Sequence, residues 1–410
     1  MKKIYSLSIF ILLTGVLSAQ SISHERFIKD VVEKNVSYLA EKYDIDIAEA
    51  NVKAAKIFND PELSVSYGNN QDWSIQMGQS IEVGLSYNPD LAGVRRARIQ
   101  VAKTEKEITE SALSAYLSSL RLQAEEAWAE TWLKKKECEL LQKNCNDMRM
   151  IAQSDSIRLS VGDVAQTDAT QSALESRVLS QELIEKKAEY RNCLSVLSML
   201  CGGSRIEDIE CDTLSEQDVP INRSQMYTTA TERRADLRAM ELSMTLSEKN
   251  LKLVKATRAF ELGLSLGYSY NTEVKNELAP APIYNGLSVG ISIPLKFSNF
   301  NRGEVTAAKN AVLKNRKMYD AALLEIRNEV DQACNMLEAT KQIMAQYDES
   351  VLRDAKSIAE NRKIGYTKGE SSLVELLAAQ QTYRSTMQGY FDACSKYYIA
   401  KQQLKKAVGY

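Results

Sequence analysis

The sequence predicts an α+β membrane protein: a tandem repeat of helix, strand, strand, long helix and helix, with four strands per chain. Three observations predict it. Four segments alternate apolar with small or polar residues at period two, as strands do because successive side chains point to opposite faces. Two stretches, roughly 68 residues from Val94 to Val161 and roughly 61 from Glu304 to Ile364, contain no Gly or Pro, so nothing in them breaks a helix. Finally, the two halves superpose: Asn51 falls on Asn250, Gly84 on Gly290, Ala127 on Ala333, Gly162 on Gly369 and Gly202 on Gly409, the offset growing from 199 to 207 through small insertions.

Residues 1–19 read as a secretory signal. Lys2 and Lys3 precede an apolar run from Ile4 to Leu17, and the small Ala19 marks the cut. No cysteine lies near that site, so a lipid anchor is not expected. The first repeat occupies 20–203. Its helix, Ser21 to Phe58, carries Ile28, Val31, Val32, Val36, Leu39 and Ala40 at three- and four-residue spacing, and Asp60-Pro61 ends it. Strands follow at about 62–68 (Leu63, Val65, Tyr67 against Ser64, Ser66, Gly68) and 73–87, where Trp73, Ile75, Met77, Ile81, Val83, Leu85 and Tyr87 alternate with small or polar residues and only Gln79 interrupts the apolar row. Asn88-Pro89-Asp90 turns the chain into a helical hairpin over about 91–202, interrupted at Gly162 and closed by Cys201-Gly202-Gly203.

A polar, irregular connector spans 204–223, including Pro220. The second repeat, 224–410, opens with a helix from Ser224 to Ala259. Strands follow at about 260–271 (Phe260, Leu262, Leu264, Leu266, Tyr268, Tyr270) and 285–297 (Leu287, Val289, Ile291, Ile293, Leu295, Phe297). Ser298-Asn299-Phe300-Asn301 stops the last strand, and a hairpin over about 302–409 turns at Gly369. At about 1.5 Å per residue its first helix reaches about 90 Å.

Beyond residue 20 no run approaches the ~18 to 20 apolar residues a membrane helix needs. A membrane crossing must therefore use strands of a closed barrel. The apolar rows, with Trp73, Tyr87, Tyr268 and Tyr270 toward strand ends, suit lipid with an aromatic girdle, and the rows of Gly and Ser suit a crowded or water-lined interior. Four strands cannot close a barrel that needs about eight or more. Three chains contributing twelve strands are the simplest closed solution, a homotrimer. The positions Tyr319, Ala322, Leu323, Ile326, Val330, Ala333, Leu337, Met344, Tyr347, Val351 and Ile358 form a coiled-coil seam, which fits a tube of helices continuing into water.

The remaining composition argues against other classes. With 52 basic and 54 acidic side chains and no long basic block, nucleic acid is not an expected partner. Seven cysteines, at no metal-ligand spacing, cannot all pair within the chain; a bridge between Cys201 and Cys211 is left open, and the others read as small buried hydrophobes. His24, the single histidine, stands near the mature N-terminus, where a general base would be poorly placed. No Ser/His/Asp set, Cys/His pair or phosphate loop emerges, so neither an enzyme nor a cofactor or metal site is expected. Glu125-Glu126 and Arg95-Arg96 read as solvated helix charges.

The two hairpin turns read Ser160-Val161-Gly162-Asp163-Val164-Ala165-Gln166-Thr167-Asp168-Ala169 and Tyr366-Thr367-Lys368-Gly369-Glu370-Ser371-Ser372-Leu373-Val374-Glu375. Each has a turn glycine with an acid six positions on. With the tandem repeat, and with Pro294-Leu295 and Asn301-Arg302 joining strand to helix, the chain from about 25 to 409 resembles the TolC-type outer-membrane efflux proteins. The resemblance implies a homotrimer with a twelve-stranded barrel in outer-membrane lipid and a long helical barrel in the periplasm. It also implies docking of a periplasmic adaptor (membrane-fusion) protein at the tips Ser160, Val161, Gly162, Asp163, Thr367, Lys368, Gly369 and Glu370, and through it coupling to an inner-membrane RND or ABC transporter. Asp168 and Glu375 match acids that narrow the family's periplasmic entrance as stacked anionic rings. Ala378 departs from a second acid of the family's best-known member, and Glu370 stands where a basic residue would bridge the closed state, so a different locking network is expected. The competing reading is a periplasmic coiled-coil adaptor or scaffold with a soluble β domain, which would carry one hairpin rather than two.

Overall fold

The computed structural model describes residues 21–71, 76–210, 214, 220–258, 261–295 and 302–410. The signal, Trp73, Ile75, Phe260, Phe297, the Ser298 to Asn301 turn and Cys211 lie outside them. The chain divides into two compact units: the first is Met1–Leu39, Leu117–Tyr227 and Glu329–Tyr410, and the second is Ala40–Tyr116 and Thr228–Asn328.

The first unit begins with β1 (Ser21–Ile22) and α1 (His24–Lys34). α2 (Val36–Ala55) follows a break at Asn35, so the expected single helix from Ser21 to Phe58 is two. Asn35 explains the break: its side chain donates to the Leu200 carbonyl at 3.1 Å and accepts from the Tyr38 amide at 2.9 Å, replacing helix bonds with local ones. Gly202 meets the same place, where a Cβ would stand 2.3 Å from the Lys34 carbonyl oxygen. That approach requires glycine.

The first two strands of the second unit are β2 (Glu62–Gln71) and β3 (Gln76–Tyr87). α3 then runs unbroken from Val94 to Ser160, and α4 from Gln166 to Leu200, as expected of the first hairpin. The connector is less irregular than its composition suggests. It contains β4 (Asp208–Ile209), which pairs in parallel with β1. Asp208 holds it down, accepting from Lys135 at 2.7 Å and from the Tyr190 hydroxyl at 2.5 Å. Burial works against its charge, but these donors keep the carboxyl below its usual range.

In the second repeat α5 (Arg223–Arg233) and α6 (Ala235–Thr257) are separated at Arg234, 199 positions after Asn35, where one helix was expected. The buried Arg234 grips Asp236 with two hydrogen bonds, at 3.0 and 2.6 Å. β5 (Gly263–Asn271) starts later than expected, after Leu262, and β6 (Tyr284–Ser292) ends earlier, before Ile293, Pro294 and Leu295. Pro294 has no amide to extend a ladder.

The long helix expected through Ile364 is also two: α7 (Arg302–Met344) and α8 (Glu349–Lys368), ahead of α9 (Leu373–Val408). Asp348 caps the restart by accepting from the Val351 amide at 2.9 Å. Tyr347 turns toward α9, where a Cβ on Gly389 would stand 2.4 Å from its hydroxyl oxygen. The break shifts the helical phase. Ile326, Val330, Ala333 and Leu337 are buried as the seam requires, but beyond 348 the expected Val351 and Ile358 are exposed. Leu352, Ala355 and Ala359 take the inward positions.

The four strands form one antiparallel sheet in the order β2-β3-β5-β6. Its register puts the apolar rows of all four on one face: Leu63 lies opposite Leu85, Leu85 opposite Leu266, and Leu266 opposite Val289. The other face is mostly glycine and serine, with Glu82 among them, and several glycines are set against serines across the strands. A Cβ on Gly84, Gly267, Gly286 or Gly290 would stand 2.6, 2.5, 2.5 or 2.4 Å from the hydroxyl of Ser64, Ser288, Ser269 or Ser265. The missing Cβ atoms at these glycines let that face contract while the apolar face spreads. A bulge between Asn69 and Gln71, with Gly78 at φ +77°, slips the alternation by one residue. The apolar row of β3 is therefore not continuous below Gln79.

Candidate functional site

Both hairpins turn in the same way. Gly162 and Gly369 adopt φ of +79° and +77°. The amide of Asp163 donates to the Arg158 carbonyl at 2.9 Å and that of Gly162 to Leu159 at 3.1 Å; at the second turn Glu370 donates to Gly365 at 2.8 Å and Gly369 to Tyr366 at 3.1 Å. These paired bonds satisfy the last carbonyls of each helix. A Cβ on either glycine would meet open space, so the backbone conformation alone requires glycine there.

The eight tip residues are all exposed. Val161 presents the largest apolar side chain among them, 75% exposed. Asp163 accepts from Arg158 at 2.8 Å, while the Ser160 and Thr367 hydroxyls fold back onto the Ile157 and Ile364 carbonyls, both at 2.7–2.8 Å. Lys368 and Glu370 make no hydrogen bond through their side chains among the described residues.

Behind the tips the two hairpins share one core. Cys145 and Met148 of α3, Leu179 and Leu183 of α4, Tyr366 of α8, and Leu373 and Leu376 of α9 pack together. Asp155 is fully buried at this level, its nearest charge being Arg158 at 4.0 Å. Neither its carboxylate oxygens nor the buried Tyr366 hydroxyl has a hydrogen-bond partner. Burial first, and then the Asp155 charge, push the Tyr366 phenol well above its ordinary range. Arg158 lies over the Tyr366 ring at 5.8 Å. Sequence reading missed Asp155, Arg158 and Tyr366, whose roles depend on a neighbour in the other hairpin.

Asp168 and Glu375 occupy the same helical position, the third residue of α4 and of α9, where a carboxylate favours the positive end of the helix dipole. Their partners differ. Ala165 precedes the first helix and offers no side-chain cap. Ser372 precedes the second and forms a capping box with Glu375, whose carboxylate also accepts from Arg362 at 3.2 Å. The spacing of Ser372 and Glu375 is a sequence signal that could have found the box; Arg362, thirteen residues earlier on another helix, could not be found that way.

The charges read as solvated need one correction. Glu125 is partly buried and accepts from the Tyr398 hydroxyl at 2.6 Å, with His24 Nε2 at 2.7 Å and the His24 ring beside Trp128. Glu126 accepts from Gln403 at 2.9 Å. These contacts tie α1 and α9 to α3. Six cysteines, including Cys201, are free thiols among the described residues, and no group of three or more metal-ligating side chains occurs among them.

Comparison with known proteins agrees with this architecture. Residues 226–410 match the Outer membrane efflux protein family. The chain is 21% identical over 383 residues to the cobalt-zinc-cadmium resistance protein CzcC of Cupriavidus metallidurans, covering 92% of this chain and 87% of CzcC. It is 20% identical to the outer membrane protein TolC of Vibrio cholerae over 85% of this chain and 82% of TolC. Its fold is similar to the Campylobacter jejuni CmeC outer membrane channel, with a TM-score of 0.77 at 18% identity over 94% of this chain and 85% of CmeC. With two repeats, two hairpins on left-handed glycines and a four-stranded sheet with apolar rows on one face, the chain shares the fold of these channels, and its second repeat matches the outer membrane efflux protein family.

Proposed function

We propose that three copies of this chain form an outer-membrane channel, a passive exit duct coupled through a periplasmic adaptor to an inner-membrane RND or ABC transporter. One observation carries the reading: a sheet with exposed apolar rows from all four strands on one face, and outer strands, β2 and β6, that are both unpaired along one edge. In water that face is an aggregation hazard; in lipid the open edges cost several kcal/mol for each unsatisfied backbone group. Copies joined β6 to β2 remove both problems. Since four strands is an even number, every junction in the ring is antiparallel, as in other barrels of this kind.

The hairpin tips are the docking surface for the adaptor, and Asp168 and Glu375, three copies of each, form the anionic constriction at the periplasmic mouth. Glu375 is held by Arg362 within its own chain, a lock of different composition from one built on a basic residue at position 370. Metal ions are the first cargo class to test, since CzcC is named for cobalt, zinc and cadmium resistance. The test is membrane fractionation followed by mass measurement of the gently solubilised protein. A detergent-extracted outer-membrane trimer that conducts ions in planar bilayers supports the reading. Release with soluble periplasmic contents as a monomer would sink it.

A further inference from the structure

The second unit contains a cleft of about 1180 Å³ where the sheet meets its helices, and the proposed function leaves it unused. Three guanidinium groups, Arg95, Arg96 and Arg98, line it, all exposed, together with the exposed apolar side chains Ile57, Phe58 and Leu91. Tyr87, Leu262 and Ile293 also line it. These continue the apolar rows of β3, β5 and β6 at their helix-proximal ends, so the cleft carries on from the face assigned to lipid.

Two acidic residues, Asp90 and Glu261, share the cleft. Both Asp90 oxygens are occupied by the Val94 and Arg95 amides, at 2.9 and 2.7 Å, so the end of α3 is already capped and is not itself an anion site. Arg95 is held by the Lys56 carbonyl at 2.6 Å. Arg96 and Arg98 make no ion pair among the described residues. The result is a pair of unneutralised cations bordered by exposed hydrocarbon. That is the chemistry of a phospholipid with an anionic headgroup: the phosphate meets the fork of an arginine and the chains lie along the apolar row.

We infer that this cleft binds an anionic glycerophospholipid of the leaflet nearest the helices. The inference rests on the membrane reading above, and its test separates the two. Purified trimer, stripped of lipid with detergent, is titrated with phosphatidylglycerol or phosphatidylcholine while bound lipid is counted by native mass spectrometry. Phosphatidylglycerol is expected to bind at one site per chain, on the order of 10-fold more tightly than phosphatidylcholine. Arg96→Gln with Arg98→Gln should weaken that binding by on the order of 10-fold or more while conductance and trimer mass stay unchanged.

Equal binding of the two lipids, or full retention by the double variant, overturns the site. So does inorganic phosphate competing as strongly as the lipid, which would mean an anion site without a lipid. If the variant instead dissociates the trimer whatever lipid is present, the cleft is covered by a neighbouring copy and the inference is also wrong. Wild-type protein that conducts in bilayers yet shows no lipid preference would refute this site alone; wild-type protein absent from membranes would refute the reading beneath it.

Discussion

The two hairpin tips have the same backbone and different electrostatics. Both turn on a left-handed glycine with the same pair of closing hydrogen bonds, and both place an acid third in the next helix. Yet Glu375 is engaged by Ser372 and Arg362, whereas Asp168 makes no side-chain hydrogen bond or ion pair among the described residues. The helices that lead to the tips differ as well: α3 arrives unbroken, while its counterpart is interrupted between Met344 and Glu349. Duplication therefore preserved the geometry that points the hairpins and let the charge and stiffness diverge. The first hairpin is built as a rigid strut carrying an unneutralised acid. The second has a joint and an internal ion pair, the parts a moving element needs.

The largest expected effect tests what the hairpins share. Leu376 is completely buried in the common core, so Leu376→Ala should cost about 2–5 kcal/mol and lower the melting temperature of both tips together. Separate transitions for the two hairpins would show that the shared core is not cooperative. Next come Gly162→Ala and Gly369→Ala. Each forces a Cβ into a left-handed conformation with open space around it, so each should cost about 1–2 kcal/mol, and the two losses should match.

The electrostatic difference is read in single channels. Asp168→Asn should change conductance and cation selectivity about twofold, and Glu375→Gln by less, because Arg362 already offsets that charge. Arg362→Gln should move selectivity toward cations. If Glu375→Gln has the larger effect, Arg362 does not engage Glu375 in the assembled channel.

The smallest effect concerns the joint. The Ser350 hydroxyl, followed by the Val351 amide, keeps the Asp348 carboxyl below its ordinary range. Because the folded value is depressed, its contribution is complete above the ordinary carboxylate value, about pH 4, and is lost as pH falls through the lower folded value. Amide exchange corrected for intrinsic rates should therefore accelerate at Val351 and Leu352 on acidification, and Asp348→Ala should accelerate it roughly fivefold at neutral pH. Leu141, inside the unbroken α3, should show neither change.

Local chemistry made much of this legible. Period two announces a strand, the absence of Gly and Pro permits a helix of 67 residues, and a glycine before a renewed helical pattern marks a turn. Those are properties of a residue and its near neighbours, which is why α3, α4, the tip glycines and the existence of all four strands follow from the residues alone. Arg234 could continue a helix, and Asn35 and Asp348, though they favour caps, could as well. They become breaks because Leu200 accepts from Asn35, and because Gly389 leaves room for Tyr347, contacts 165 and 42 positions away in the chain. The pairing of Gly84, Gly267, Gly286 and Gly290 with serines, the burial of Asp155 against Tyr366 and the hold of Arg362 on Glu375 arise in the same way. A sequence determines what each segment can be; which of those possibilities carries a charge, a joint or a contact depends on what folding brings beside it.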